Sequence, residues 1–199
     1  ERLAALKAYG QCSVVIDLIY GLPGQTMEVW EQDLADLVSS GVDGADLYQL
    51  NVFDGSDLNR DIASGKVPPA ATTSMQGDMF EFGRTYLEAR AYRRLSAAHW
   101  SANNRERSLY NILAKAGVPM FPFGSGAGGN VDGYGMMLHR ALKPYEDMVS
   151  RGEKPFMALM KQSDLQPFVN QVVSQLEQGY LDINTLVAMD SRLDELNWL

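Results

Sequence analysis

The chain has 199 residues and a mass of 22.0 kDa, which predicts one domain or slightly more at about 150 residues per domain. Hydrophobic residues make up 46% and charged residues 21%, a globular composition that excludes disordered, collagen-like and coiled-coil chains. With 17 basic against 25 acidic residues the net charge is −8, which argues against general nucleic-acid binding, because phosphate neutralisation needs clustered Lys and Arg. Glu1–Gly10 reads as the tail of a helix stopped by glycine, so the chain is expected to continue something longer. No signal-peptide pattern is visible, and the expected location is cytoplasmic. Cys12 is the single cysteine and is expected to be a small buried residue. It permits no intrachain disulfide and cannot build a four-ligand zinc or an iron–sulfur site.

Ser13–Tyr20 reads as a strand, apolar on both faces except at Asp17, and is expected to be parallel and covered on both sides. Its longest apolar stretch is far short of the roughly 18 residues of a membrane span. The turn Gly21–Thr26 leads into an amphipathic helix, Met27–Ser40. Ala45–Phe53 reads as a second strand about 33 residues on, the spacing of one βαβ crossover. Ser56–Ser64 is expected to be a short helix, Ser74–Arg94 a long one, and Leu95–His99 a third strand. Asn104–Ala116 reads as helix, Gly117–Phe123 as an extended edge, and Gly124–Gly135 as a glycine loop. Leu138–Arg151, Phe156–Gln162, Asp164–Gly179 and Ile183–Leu199 read as helices, the last stopping without a terminal motif at Asn197-Trp198-Leu199.

Asp17 is the most informative residue. A carboxylate among Val14, Val15, Ile16, Leu18 and Ile19 either caps loop amides or pairs with an arginine, or it meets a polar ligand at the strand end. Gly124-Ser125-Gly126-Ala127-Gly128-Gly129 fits G-x-G-x-x-G but opens no helix, so it is a tight turn or a loop that a ligand approaches closely. His99 and His139 lack metal-ligand spacing; each is a structural group, a heme-iron ligand or an acid–base group. Six arginines, Arg84, Arg90, Arg93, Arg94, Arg105 and Arg107, crowd one stretch against Glu88 and Glu106. They form a solvated face or hold an anion.

Ile16–Thr26 (IDLIYGLPGQT) resembles the strand-and-loop signature of HemN-like radical S-adenosylmethionine (SAM) proteins. DLYQLNVF, RERSLYN (Arg105–Asn111), FGSGAGG (Phe123–Gly129) and RALKPYEDMVSRGEKP (Arg140–Pro155) follow in the family's order. The similarity runs from about Ser13 to Gln162. The set HW, RERSLYN and FGSGAGG is more like the heme-utilisation branch, linked with anaerobic heme breakdown. That branch opens the porphyrin by radical methylation to a linear tetrapyrrole and releases iron.

The resemblance implies an α/β fold: the C-terminal part of a partial (β/α)6 radical SAM barrel plus a mostly helical C-terminal extension. Residues 1–65 would supply the last two βα units, 66–163 the region closing the barrel, and 164–199 a helical end segment. It implies SAM contacts at Asp17 and Asn51, with Gly124, Gly126 and Asn130 near the cofactor. Arg105 and Arg107 are candidates for heme propionates, with His99 beside them. Heme would be the substrate, and an electron donor such as a flavodoxin a partner. No nucleic acid and no membrane span are expected. The family's C-x3-C-x2-C triplet for a 4Fe-4S cluster is not in this sequence, so the chain alone is expected to be inactive. A heme chaperone of the HemW type and an oxygen-independent coproporphyrinogen oxidase are the alternatives to a heme-degrading enzyme.

Overall fold

The computed structural model describes residues 2–189, in two compact units, Glu1–Ser108 and Leu109–Leu199. The first unit begins with α1 (Arg2–Ala8), β1 (Val15–Tyr20), α2 (Met27–Ser40) and β2 (Gly44–Gln49). Thr26 caps α2 by accepting from the Val29 amide, and Trp30, Leu34 and Leu37 form its buried stripe. The helix has the bounds that its periodicity predicts. It returns the chain so that β2 pairs parallel with β1, Val15 beside Gly44 through Tyr20 beside Gln49.

α3 (Asp57–Ala63) follows, capped by Ser56, and then α4 (Thr73–Glu88). α4 is shorter than the expected Ser74–Arg94. It stops because Ala91 turns left-handed (φ 61°), letting the Tyr92 amide donate to the Leu87 carbonyl. Arg93–Arg94 is instead β3, a short strand antiparallel to β4 (His99–Ser101), and β4 runs antiparallel to β2. The expected single strand Leu95–His99 is thus two short strands at either end of it, Arg93–Arg94 and His99–Ser101. The sheet order is β1-β2-β4-β3. Trp30, Leu34, Leu37, Leu47, Met79, Leu87 and Trp100 form its core, each at most 2% exposed, and the Trp30 indole donates to the Met79 carbonyl at 2.8 Å. Cys12 is exposed, contrary to expectation, because it lies in a bend before β1 begins.

The second unit starts with α5 (Leu109–Lys115). Residues 104–108 stay out of that helix because the Asn103 side chain accepts from the Arg105 amide and Glu106 from the Ser108 amide. Most of the expected glycine loop is a hairpin, β5 (Gly128–Val131) and β6 (Tyr134–Leu138). The Asp132-Gly133 pair between them, φ 50° and 75°, is a two-residue turn that needs positive φ at both positions. After α6 (Leu142–Ser150), Phe156–Lys161 is β7, not a helix, and pairs antiparallel with β6. Six residues are too few for an apolar run to decide between strand and helix. α7 (Gln166–Glu177) and α8 (Ile183–Met189) close the unit. The rest of the expected final helix, with Asn197-Trp198-Leu199, lies outside the described residues.

Candidate functional site

Side chains alternate across a strand, so Val15, Asp17, Ile19, Asp46, Tyr48 and His99 share one face of the first sheet. Tyr20, Leu47 and Trp100 lie on the other, packed with Trp30 of α2 and Met79 of α4. The first face is open at its centre. Asp17 is exposed, and Ile19 and Tyr48 are each 43% exposed. The expected burial of β1 on both sides is therefore not found. Asp17 has no hydrogen-bond or ion-pair partner among the described residues.

Two other aspartates do the structural work. Asp43 accepts from the Val14 amide and from the Asn103 side chain (2.8 and 2.9 Å), and Arg105 Nε lies 3.5 Å away. Burial pushes its carboxyl up, but these hydrogen bonds and the guanidinium outweigh it and hold the pKa below the ordinary value. Asp46 lies beside Asp17 in register and meets His99 Nδ1 at 2.9 Å. His99 is 4% exposed, and its Nε2 stands 3.3 Å from Glu106 Oε1, off hydrogen-bond geometry. The Asp46 hydrogen bond, opposed by burial and aided by both carboxylate charges, raises the imidazole pKa. Burial, then the charges of Asp46 and Asp17, raise the Tyr48 phenol. The face thus carries an unpartnered carboxylate beside a neutral phenol, above a histidine flanked by two acids.

The loop Gly21–Thr26 is fastened by hydrogen bonds. The buried Gln25 side chain accepts from the Gly21 and Leu22 amides (2.8 and 3.2 Å) and donates to Asp33. Gln76 of α4 donates to the Leu50 carbonyl and accepts from Gln49, tying the end of β2. A Cβ on Gly21 would stand 2.6 Å from the Gln76 amide nitrogen at φ 84°, so only glycine fits.

The other predicted residues lie in different settings. Asn51 is exposed beyond β2, and its amide reaches the Gln49 carbonyl at 3.5 Å. The Arg105 guanidinium donates to the Gly10 and Cys12 carbonyls (2.9 and 2.8 Å), whereas Arg107 is exposed. Gly124, Gly126 and Asn130 belong to the second unit. Gly124 has open space around it. The Gly126 amide donates to the His139 carbonyl at 2.8 Å, and the Asn130 main chain pairs with Met120. The structure brings Asp17 and His99 to one sheet face. Asp46, Tyr48, Gln25 and Glu106 were not anticipated. The period-two pattern of β2 in register with β1 is the signal that places Asp46 and Tyr48 beside Asp17 and Ile19.

An open apolar-and-acidic sheet face suits a ligand with an aromatic base and hydrogen-bond donors, as SAM has. An iron–sulfur cluster does not fit. Among the described residues no group of three His, Cys, Asp or Glu side chains could hold a metal ion. No helix among them is long and apolar enough to cross a membrane.

No protein-family model matches the chain. It is 37% identical over 154 residues to the anaerobilin synthase of Escherichia coli O157:H7, covering 77% of this chain and 34% of that protein. It is 23% identical over 146 residues to the heme chaperone HemW of Bacillus subtilis, covering 72% of this chain and 38% of that one. Its fold is like that of the coproporphyrinogen III oxidase HemN of Escherichia coli, a radical SAM enzyme. That match has a TM-score of 0.74 at 17% identity and covers 96% of this chain and 46% of the other. The chain therefore spans between a third and a half of the length of these proteins.

Proposed function

We propose a function from the premise that the chain belongs to the HemN-like radical SAM family and forms its C-terminal part. The whole protein is a heme-degrading enzyme that methylates the porphyrin and opens it to a linear tetrapyrrole, releasing iron. The similarity to anaerobilin synthase at 37% identity, against 23% to a heme chaperone, supports degradation over delivery.

The observation that carries the reading is the open face of the β1–β2 pair, with Asp17 unpartnered and its neighbour Asp46 already engaged. SAM, when bound, supplies the radical and the methyl group. Asp17 accepts a hydrogen bond from it, and Ile19 and Tyr48 offer the apolar surface beside that carboxylate. Asn51 adds an amide at the strand end. Arg107, exposed and without an ion pair among the described residues, is placed to meet a propionate, while Arg105 and His99, each engaged by neighbours, hold the wall in place. The chain alone turns over no heme. An electron donor, a flavodoxin by class, serves the whole protein.

SAM affinity tests the site. In the full-length protein Asp17→Ala is expected to weaken SAM about tenfold, the loss of one hydrogen bond to a charged group, with thermal stability unchanged. Equal SAM affinity in the two proteins would reject the assignment.

A further inference from the structure

The six clustered arginines differ in what surrounds them. Arg84 pairs with Glu81 and Glu88, Arg90 lies 3.4 Å from the centroid of the Tyr86 ring, and Arg105 is bound to main-chain carbonyls. Arg94 has no acidic partner among the described residues. Its Nε donates to the Ser96 carbonyl at 2.9 Å, and its guanidinium stands 5.8 Å from the centroid of the Phe80 ring.

Arg94 borders a cleft of about 450 Å³, between α4, the ends of β1 and β2, and the residues before β4. The size is that of a small-molecule site. Tyr20, Leu47 and Phe80 give it an apolar wall, and Tyr20 and Leu47 come from the sheet face opposite Asp17. Tyr20 is only 6% exposed, yet its hydroxyl has no hydrogen-bond partner among the described residues. The hydroxyl itself keeps contact with solvent, so it can donate to something in the cleft. Gln49 and Gln76, also in the lining, are already bonded to each other. The unused polar groups of the lining residues are therefore one cation, Arg94, and the neutral hydroxyls of Tyr20, Tyr48 and Thr73, set around aromatic surface.

That set selects its ligand. A guanidinium meets a carboxylate bidentately, a phenol donates to an oxygen, and the apolar wall demands a flat apolar body. A bare inorganic anion would leave the wall wet. We propose that this cleft binds a planar aromatic carboxylate, anchored by Arg94 and Tyr20 and packed against Phe80 and Leu47. It is a second site, built mainly on the opposite sheet face from the SAM surface with Tyr48 bordering both, and goes beyond the function proposed above. Two sources share the chemistry: the propionate-bearing edge of a tetrapyrrole and a free aromatic acid.

Calorimetric titration of this 199-residue chain with naphthoate and with its methyl ester tests the site. Saturable one-to-one binding of the acid is expected, with the ester about tenfold weaker, as loss of a charge-assisted pair implies. Arg94→Gln should bring the acid down to the ester's affinity and leave the ester unchanged, and Tyr20→Phe should weaken the acid alone. Melting curves for both variants establish that they fold. Displacement of naphthoate by heme but not by iron etioporphyrin, which has no carboxylate, identifies the tetrapyrrole edge. Displacement by neither, with the acid still bound, identifies a free aromatic acid. Equal affinity for acid and ester, no saturable binding, or an Arg94→Gln protein that binds the acid normally would overturn the proposal.

Discussion

Asp17, Asp43 and Asp46 are the same residue type in adjoining strands and the turn between them, yet they do different work. Asp43 fastens a turn to the amide before β1, Asp46 holds His99, and Asp17 faces open space. From sequence, Asp17 stands out because apolar residues flank it, and that judgement needs no structure. Asp43 and Asp46 carry no such mark, because their partners Asn103, Arg105 and His99 lie more than 50 residues away. His99 makes a pH test. Its raised pKa means that the folded chain holds the proton more tightly than the unfolded chain does. The stabilisation is complete below the ordinary imidazole value near 6.5 and is lost as pH rises through the higher folded value. Urea unfolding across that range should show stability falling with rising pH in the native protein and a flat profile in His99→Gln. The variant should also lose about 3 kcal/mol at low pH, the cost of breaking a buried pair. A profile with the same slope in both proteins would assign the pH effect elsewhere.

At the scale of elements, α2 was legible to the residue and α3 to within one residue at each end, because their caps are side chains: Thr26 and Ser56 accept from main-chain amides. The end of α4 was not, because its left-handed residue is Ala91 rather than glycine. The glycine loop was misread although Asp132-Gly133 is a strong hairpin signal; the surrounding glycines hid the strands. Gly128 and Gly129 separate backbone packing from mere loop composition. A Cβ on Gly129 would fall 2.3 Å from the Met120 carbonyl, whereas one on Gly128 meets nothing closer than 3.8 Å. Gly129→Ala is expected to destabilise the hairpin by roughly 1–3 kcal/mol, as overpacking does, and Gly128→Ala to change stability little. Hydrogen exchange at the Met120 and Asn130 amides, which bond each other's carbonyls, reads this directly. In the first unit Gln25→Ala should cost about 1–3 kcal/mol by leaving the Gly21 amide unpaired, measured by thermal melting.

At the scale of the whole molecule, every residue of the principal core cluster lies between Val14 and Trp100. The first unit should therefore fold without the second. Residues 1–108 produced alone are expected to melt cooperatively, and a broad non-cooperative transition would show that the core needs more of the chain. The architecture was legible as a βαβ pair, but the openness of one sheet face was not, since apolar residues line β1 on both sides. That face is an acidic and aromatic surface within the C-terminal part of a HemN-type radical SAM fold. The most direct test of heme degradation is the fate of heme incubated anaerobically with the full-length protein, SAM and a reductant. Heme is expected to be consumed and a methylated linear tetrapyrrole to appear with free iron. Heme recovered intact from protein that binds SAM and carries a sound cluster would contradict it and leave heme delivery as the function.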